Sequence, residues 1–340
     1  MNTRLIVLFP RIFPSYRIKL IIRCFFLSCL LGLNACATVP RERVFDDFVI
    51  VKAEAVDDFS SLAANYLNNP EKAWQIAEFN NIASVKPGQE LVIPLSPFNR
   101  GGLKADGCQT VPILTYYGFS RNKTGELIVS EGAFNEQMKY LKENGYDVIT
   151  LDQLLDFLDF KSQIPKKSVV ITFDDGWRSL YDIAFPVLKR NGFPATLFIY
   201  TDFIGGTKAL SWEQVDELAK NGFDVQSKTM THRDLTKLNK GESFKEYFKT
   251  VQRELSQSKK IIEKQLGRKC KYMAYPYGVT NNLATALVKK EGYRAAFTIK
   301  RGSNPFYVDN YRINRSVIHG SDNMEQFKDN LSVFSRSELR

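Results

Sequence analysis

SVVITFDDG, residues 168–176, is the stretch on which the fold turns. Val169, Val170, Ile171, Thr172 and Phe173 are β-formers in an unbroken run, which reads as a buried strand. The run delivers Asp174, Asp175 and Gly176 at its exit. Two adjacent carboxylates there repel each other, so one must meet a cation or keep a proton. A site that needs one acid on a metal and one as a base uses such a pair directly. Taken alone, Asp-Asp-Gly also reads as a surface turn.

Outward from this strand the texture is regular. Short β-rich runs at 111–117, 147–150, 168–173, 195–200, 223–227, 271–275 and 295–299 alternate with helical stretches. The helices fall near 131–145, 179–190, from Ser211, 243–267 and 282–291, and Ser211 and Asn281 are suitable N-caps. Such alternation predicts an α/β fold with a parallel sheet or barrel. Active residues are then expected at the C-terminal ends of the strands.

Four runs in a fixed order carry the chemistry: TFDDG (172–176), NGFPATLF (191–198), SKTMTHRDL (227–235) and AYPYG (274–278). Together they resemble the successive motifs of the polysaccharide deacetylase family, carbohydrate esterase family four, over residues 110–335. The AYPYG form is similar to the subgroup that contains poly-N-acetylglucosamine deacetylases. The resemblance implies a (β/α)7-type barrel that hydrolyses N-acetyl groups on a glycan with a divalent metal, most often zinc. Carried across, it makes Asp174 the general base, Asp175 and His232 metal ligands, and the Tyr277 N–H an oxyanion donor. Pro276 and Gly278 would shape that loop, Tyr275 and Pro276 would contact substrate, Trp177 and Arg178 would line the sugar groove, and His319 would protonate the leaving amine or lie as a surface histidine after a strand.

One position departs from that pattern. Where the resemblance calls for a histidine four residues before His232, the chain has Lys228, and it holds only two histidines, His232 and His319. A charged ammonium has no lone pair and cannot ligate a metal. Two arrangements follow: Lys228 pairs with Asp174 or Asp175 in the vacated cation position, or it turns outward toward the substrate beside a weak or absent zinc on Asp175 and His232. The first strand also ends in Tyr116-Tyr117, where relatives often have Tyr-His. Three functions are thereby expected in descending order. They are an N-deacetylase of an N-acetylhexosamine polymer, a non-catalytic glycan-binding lipoprotein with a degenerate site, and a hydrolase of another acyl or amide bond.

Upstream lies a smaller module at 47–96, with strands at 48–51 and 91–93 and helices at 59–67 and 71–79. This βααβ stretch, FVIVKAEAVDDFSSLAANYLNNPEKAWQIAEFNNIASVKPGQELVIP, resembles a LysM domain, which implies binding to N-acetylglucosamine-containing glycans such as peptidoglycan or an exopolysaccharide. Val56-Asp57-Asp58 replaces the family's Gly-Asp-Thr turn. Residues 97–109, with little apolar content, read as a linker.

Residues 1–35 hold five basic residues and no acid, and the apolar run 24–33 leads to Leu33-Asn34-Ala35-Cys36. This resembles a bacterial lipobox, which makes 1–35 a lipoprotein signal peptide, Cys36 the lipidated residue and 36–46 a tether. Ala37 lacks the acid of inner-membrane retention, so the expected location is the outer membrane, facing the periplasm. Without the leader, 42 basic residues face 37 acidic ones. That mild bias suits anionic envelope glycans, and with no clustered basic face it excludes a nucleic-acid partner. Cys108 and Cys270 remain in the mature chain, as a disulfide or as two thiols.

Overall fold

A computed structural model describes residues 41–336. The expected leader, Cys36 and the start of the tether lie outside the described residues. The described chain divides into two compact units between Ile93 and Pro94.

The smaller unit follows the expected order with one added strand. Strands β1 (Glu42–Val44), β2 (Phe48–Lys52) and β3 (Glu90–Pro94) form one sheet, with helices α1 (Phe59–Leu67) and α2 (Ala73–Asn80) between β2 and β3. Strand β1 falls inside the expected tether. Its side chains are all exposed, so hydrophobicity could not announce it, yet its backbone pairs antiparallel with β2. The Val56-Asp57-Asp58 turn has a local purpose. Asp58 caps α1 through the Ser61 N–H at 2.7 Å, and Asp57 takes Arg41 at 2.9 Å and the Glu54 N–H at 2.7 Å. Leu62, Ala63, Ile76, Leu91 and Ile93 close the core.

The larger unit begins where a linker was expected. Strands β4 (Leu103–Lys104) and β5 (Gly107–Val111) pair with each other, and β5 is buried throughout. Its few apolar side chains hid it, because backbone pairing rather than a hydrophobic face holds this segment.

After β5 come β6 (Ile113–Tyr116), β7 (Gly118–Ser120), β8 (Ile128–Ser130), α3 (Glu131–Glu143), β9 (Asp147–Val148) and α4 (Leu151–Leu158). Strand β10 (Ser168–Asp175) is the decisive stretch, and α5 (Phe185–Asn191) follows a single π-helical segment, Leu180–Ala184. The alternation continues through β11 (Ala195–Ile199), α6 (Trp212–Lys220), β12 (Phe223–Ser227), α7 (Phe244–Leu266), β13 (Tyr272–Ala274), α8 (Asn282–Lys290) and β14 (Ala295–Phe297). The end of the chain adds β15 (Asn304–Pro305), β16 (Ser316–Val317), α9 (Met324–Lys328) and β17 (Phe334–Arg336).

The principal sheet runs β14-β13-β12-β11-β10-β6-β16, all parallel, with β9 beside β10. It is curled. Residues 310–317 connect its two edges: Ile313 bridges to Phe297 of β14, while β16 pairs with β6. The fold is therefore α/β with a parallel sheet, as the alternation predicts, and of the (β/α)7 type that the resemblance implies. Strand β10 is buried from Ser168 to Asp174 because a parallel strand is covered on both faces. Cys108 and Cys270 are separate buried thiols, Cys108 on β5 and Cys270 just before β13.

Candidate active site

The C-terminal ends of β6, β10, β12, β13 and β16 open on one cavity of about 670 Å³. Tyr117, Asp175, Lys228, His232, Tyr277 and His319 all line it. Residues spread over 203 positions of chain thus meet at the face where a parallel barrel exposes its loops.

The acid pair is fully engaged. Asp174 is buried and meets Arg315 in a two-pronged pair, Nη1–Oδ1 2.7 Å and Nη2–Oδ2 2.9 Å. Lys228 Nζ lies 2.9 Å from Asp174 Oδ2 and 2.7 Å from Asp175 Oδ1. Asp175 also accepts the Trp177 Nε1–H through Oδ2 at 3.3 Å. Burial pushes the Asp174 carboxyl up, but the charges and hydrogen bonds of Arg315 and Lys228 outweigh it and bring its pKa down to about 2. Burial works against the Lys228 ammonium, and the two aspartates overcome it, so the lysine stays charged well above its ordinary range.

Lys228 and His232 ride on a tight loop after β12. Thr229 (φ 72°) and His232 (φ 64°) are in the left-handed region, a conformation that costs a non-glycine residue about 1–2 kcal/mol. Glu254 of α7 compensates. It is 1% exposed and accepts the Met230 and Thr231 N–H groups at 2.9 and 2.8 Å and the Thr231 hydroxyl at 2.8 Å. The His232 ring lies edge-on to Tyr277 at 4.7 Å, and its Nε2 sits 3.6 Å from Asp175 Oδ1 with no hydrogen-bond partner. Burial, then the Lys228 charge, lowers the His232 pKa and keeps the imidazole neutral.

Tyr277 stands in a turn of φ 57°. The following Gly278 (φ 66°) presses on Ile299, where an added Cβ would fall 2.1 Å from Cγ1 and 2.6 Å from the backbone nitrogen. Gly278→Ala is therefore expected to cost about 1–3 kcal/mol from overpacking, read as a lower urea midpoint. An unchanged midpoint would show that this turn is not constrained. His319 follows β16 and reaches the cavity, its Nδ1 3.2 Å from the Glu126 carbonyl and its N–H on Asp322.

Several expected site residues lie elsewhere. Tyr275 is fully buried, its hydroxyl donating to the Tyr311 carbonyl at 3.1 Å, and Pro276 is buried beside it. Both are packing residues, because the apolar strand that precedes them carries them inward. Trp177 holds Asp175 and packs on Phe203, and Arg178 is exposed against Asp182 at 3.5 Å. Neither lines the cavity. Asp174 lies behind the cavity wall, so as placed it organises cations and does not reach a pocket water. No sequence motif marks Arg315 or Glu254. Glu254 left a trace: with Tyr247, Val251, Leu255, Ser258 and Ile262 it occupies the buried stripe of α7, where a charge is out of place.

A family model described as polysaccharide deacetylase matches residues 161–296. A poly-β-1,6-N-acetyl-D-glucosamine N-deacetylase of Staphylococcus epidermidis is 33% identical over 196 residues, covering 56% of this chain and 68% of that one. The chain belongs to the polysaccharide deacetylase family. The family and its structural neighbours indicate a hydrolytic N-deacetylase. A Staphylococcus aureus enzyme of the same description is 30% identical over 204 residues, 57% of this chain and 70% of its own. Among solved structures, a polysaccharide deacetylase from Bacillus cereus is 28% identical with a TM-score of 0.56, covering 74% of each chain. A Streptococcus pyogenes deacetylase, 24% identical with a TM-score of 0.60, covers 66% of this chain and 98% of its own and shows the same fold.

Family members generally depend on a metal. The donors of this chain do not fit one. Among the described residues no three His, Cys, Asp or Glu side chains converge. Asp175 and His232 offer two donors, and the third position holds an ammonium already bonded to Asp175. A charged lysine brings three hydrogens to that position and no electron pair.

Proposed function

We propose that this chain hydrolyses N-acetyl groups on an N-acetylglucosamine-containing glycan of a bacterial cell envelope. The carrying observation is one cavity that gathers Asp175, Lys228, His232, Tyr277 and His319 from four strand ends. The two staphylococcal relatives, described as poly-β-1,6-N-acetyl-D-glucosamine N-deacetylases, support the substrate class. In this reading Asp175 and the neutral His232 accept the proton of a water that attacks the acetamide carbon. The Lys228 charge and the Tyr277 N–H face the oxygen that becomes negative. The C–N bond then breaks, His319 passes the proton taken from the water on to the amine through solvent, and acetate leaves. Asp174, held at a pKa of about 2, fixes the two cations behind the wall.

The βααβ unit is proposed as a LysM glycan-binding domain and Cys36 as a lipid anchor, placing the chain at the outer membrane toward the periplasm. Anchoring the barrel and the glycan reader together raises the local concentration of polymer at the cavity.

The test is acetate release from poly-β-1,6-N-acetylglucosamine and chitin oligomers. Asp175→Asn is expected to lower it about 100-fold or more, the usual share of a positioned acid or base. Release that survives the change would remove Asp175 from the reaction. The complete pairing of the acids favours one other reading, a glycan-binding protein without turnover. Retention of the glycan with no acetate released by the unaltered chain would establish that one.

A further inference from the structure

We infer that the resident cation of this site is the Lys228 ammonium and that the site takes no divalent metal. The inference concerns the same cavity as the proposed deacetylation and rests on that reading only for what the cavity does.

The ammonium sits in a built cage. Two of its hydrogens point to carboxylates, at 2.7 Å on Asp175 and 2.9 Å on Asp174. The Tyr117 ring lies 4.9 Å from Nζ, a cation–π distance. The whole side chain is 2% exposed. Lys228 and Tyr117 are the two positions at which the chain departs from the histidines of its resemblance, and they touch each other. The two departures thus meet: one supplies a cation, and the other covers it with an aromatic face.

Charge balance supports the same conclusion. Asp174 and Asp175 face Arg315 and Lys228, and the four charges sum to zero. A divalent ion would add two positive charges to that closed set. To reach Asp175 Oδ1 it would have to displace a buried ammonium from a 2.7 Å ion pair. His232, with its partnerless Nε2, could then offer only one good further donor, and two protein ligands hold zinc weakly.

The inference also bears on turnover. A monovalent ammonium polarises water far less than Zn²⁺ does, so catalysis at this site runs on fixed charge and position rather than on a metal-lowered water pKa.

The experiment uses the full chain and zinc alone. After incubation with excess zinc and desalting, the unaltered protein is expected to retain far less than one zinc per chain. Its melting temperature is expected to be the same with zinc or with EDTA, since a ligand that does not bind the native state cannot shift it. Lys228→His completes an Asp-His-His donor set and is expected to retain close to one zinc and to melt higher when zinc is present. Stoichiometric zinc in the unaltered chain would overturn the inference. So would a folded Lys228→His chain that takes none, because the lysine would then not be what bars the metal. If that variant does not fold, the unaltered chain decides alone. Neither readout measures acetate. A zinc-loaded chain that releases acetate would sink the inference and leave the proposed function standing, and a zinc-free chain without turnover would do the reverse.

Discussion

Replacing Arg315 with leucine is expected to destabilise the barrel by about 3–5 kcal/mol, the usual cost of stripping one partner from a buried ion pair. Arg315 is 0% exposed and among the largest fully buried side chains. Beyond its two bonds to Asp174, its Nε–H donates to the Thr298 carbonyl at 2.9 Å, and its guanidinium lies 5.1 Å over the Phe198 ring. Leucine would fill part of the volume but leave Asp174 charged in the interior with only Lys228 beside it. The expected result is a lower urea midpoint without a changed slope. Adding Asp174→Asn to the variant should recover a substantial part of the loss, because the stranded charge is most of the penalty.

The sign against pH follows from the direction of the shift. Asp174 goes from an ordinary 3.8 to about 2 on folding. Its contribution is therefore fully present above 3.8 and is lost as pH falls toward 2. The gap between the Arg315→Leu variant and the unaltered chain should be widest near neutral pH and should shrink in acid, where Asp174 is protonated in both. A gap that does not depend on pH, or a midpoint the variant leaves in place, would count against the pairing as a source of stability.

The second large effect is expected at Glu254, a positioning residue that touches no substrate. Glu254→Ala removes an acceptor shared by two backbone N–H groups and a hydroxyl, all near 2.8–2.9 Å. Each charge-assisted bond contributes about 1.5–3 kcal/mol and the three do not add, so a loss of about 2–4 kcal/mol is expected. The larger consequence is for the loop that carries Lys228 and His232. Its two left-handed residues hold their conformation only while the surroundings insist on it. Once released, the loop relaxes, and a displacement of about 1 Å at the reacting groups costs about 100-fold in rate. Acetate release should fall by that order in kcat with KM little changed. Glu254→Gln should rescue most of it, because its Oε1 can accept both backbone N–H groups while its N–H₂ donates to the Thr231 hydroxyl. Full turnover by a folded Glu254→Ala chain would deny Glu254 this role.

How far the sequence reached depends on the kind of signal each element sends. The barrel was legible because helices and parallel strands write different periods, and the unbroken apolar run of β10 admits few alternatives. Asp175, Lys228, His232, Tyr277 and His319 were singled out because strand ends and motif order placed them. Strands β1, β4 and β5 carry little sequence signal because pairing through the backbone asks little of side chains. Tyr275 was misjudged for the opposite reason: an aromatic beside a functional loop looks available to substrate until packing turns it inward.

By itself, then, the sequence determined an α/β chain with a parallel sheet, the acid pair at the exit of one strand and a lysine where the family resemblance calls for a histidine. Only the tertiary structure decided what that lysine does. Arg315 stands 141 residues from Asp174 and Tyr117 stands 111 from Lys228. No local pattern encodes such encounters, because charges find their partners through sheet closure and burial, and both are properties of the folded chain.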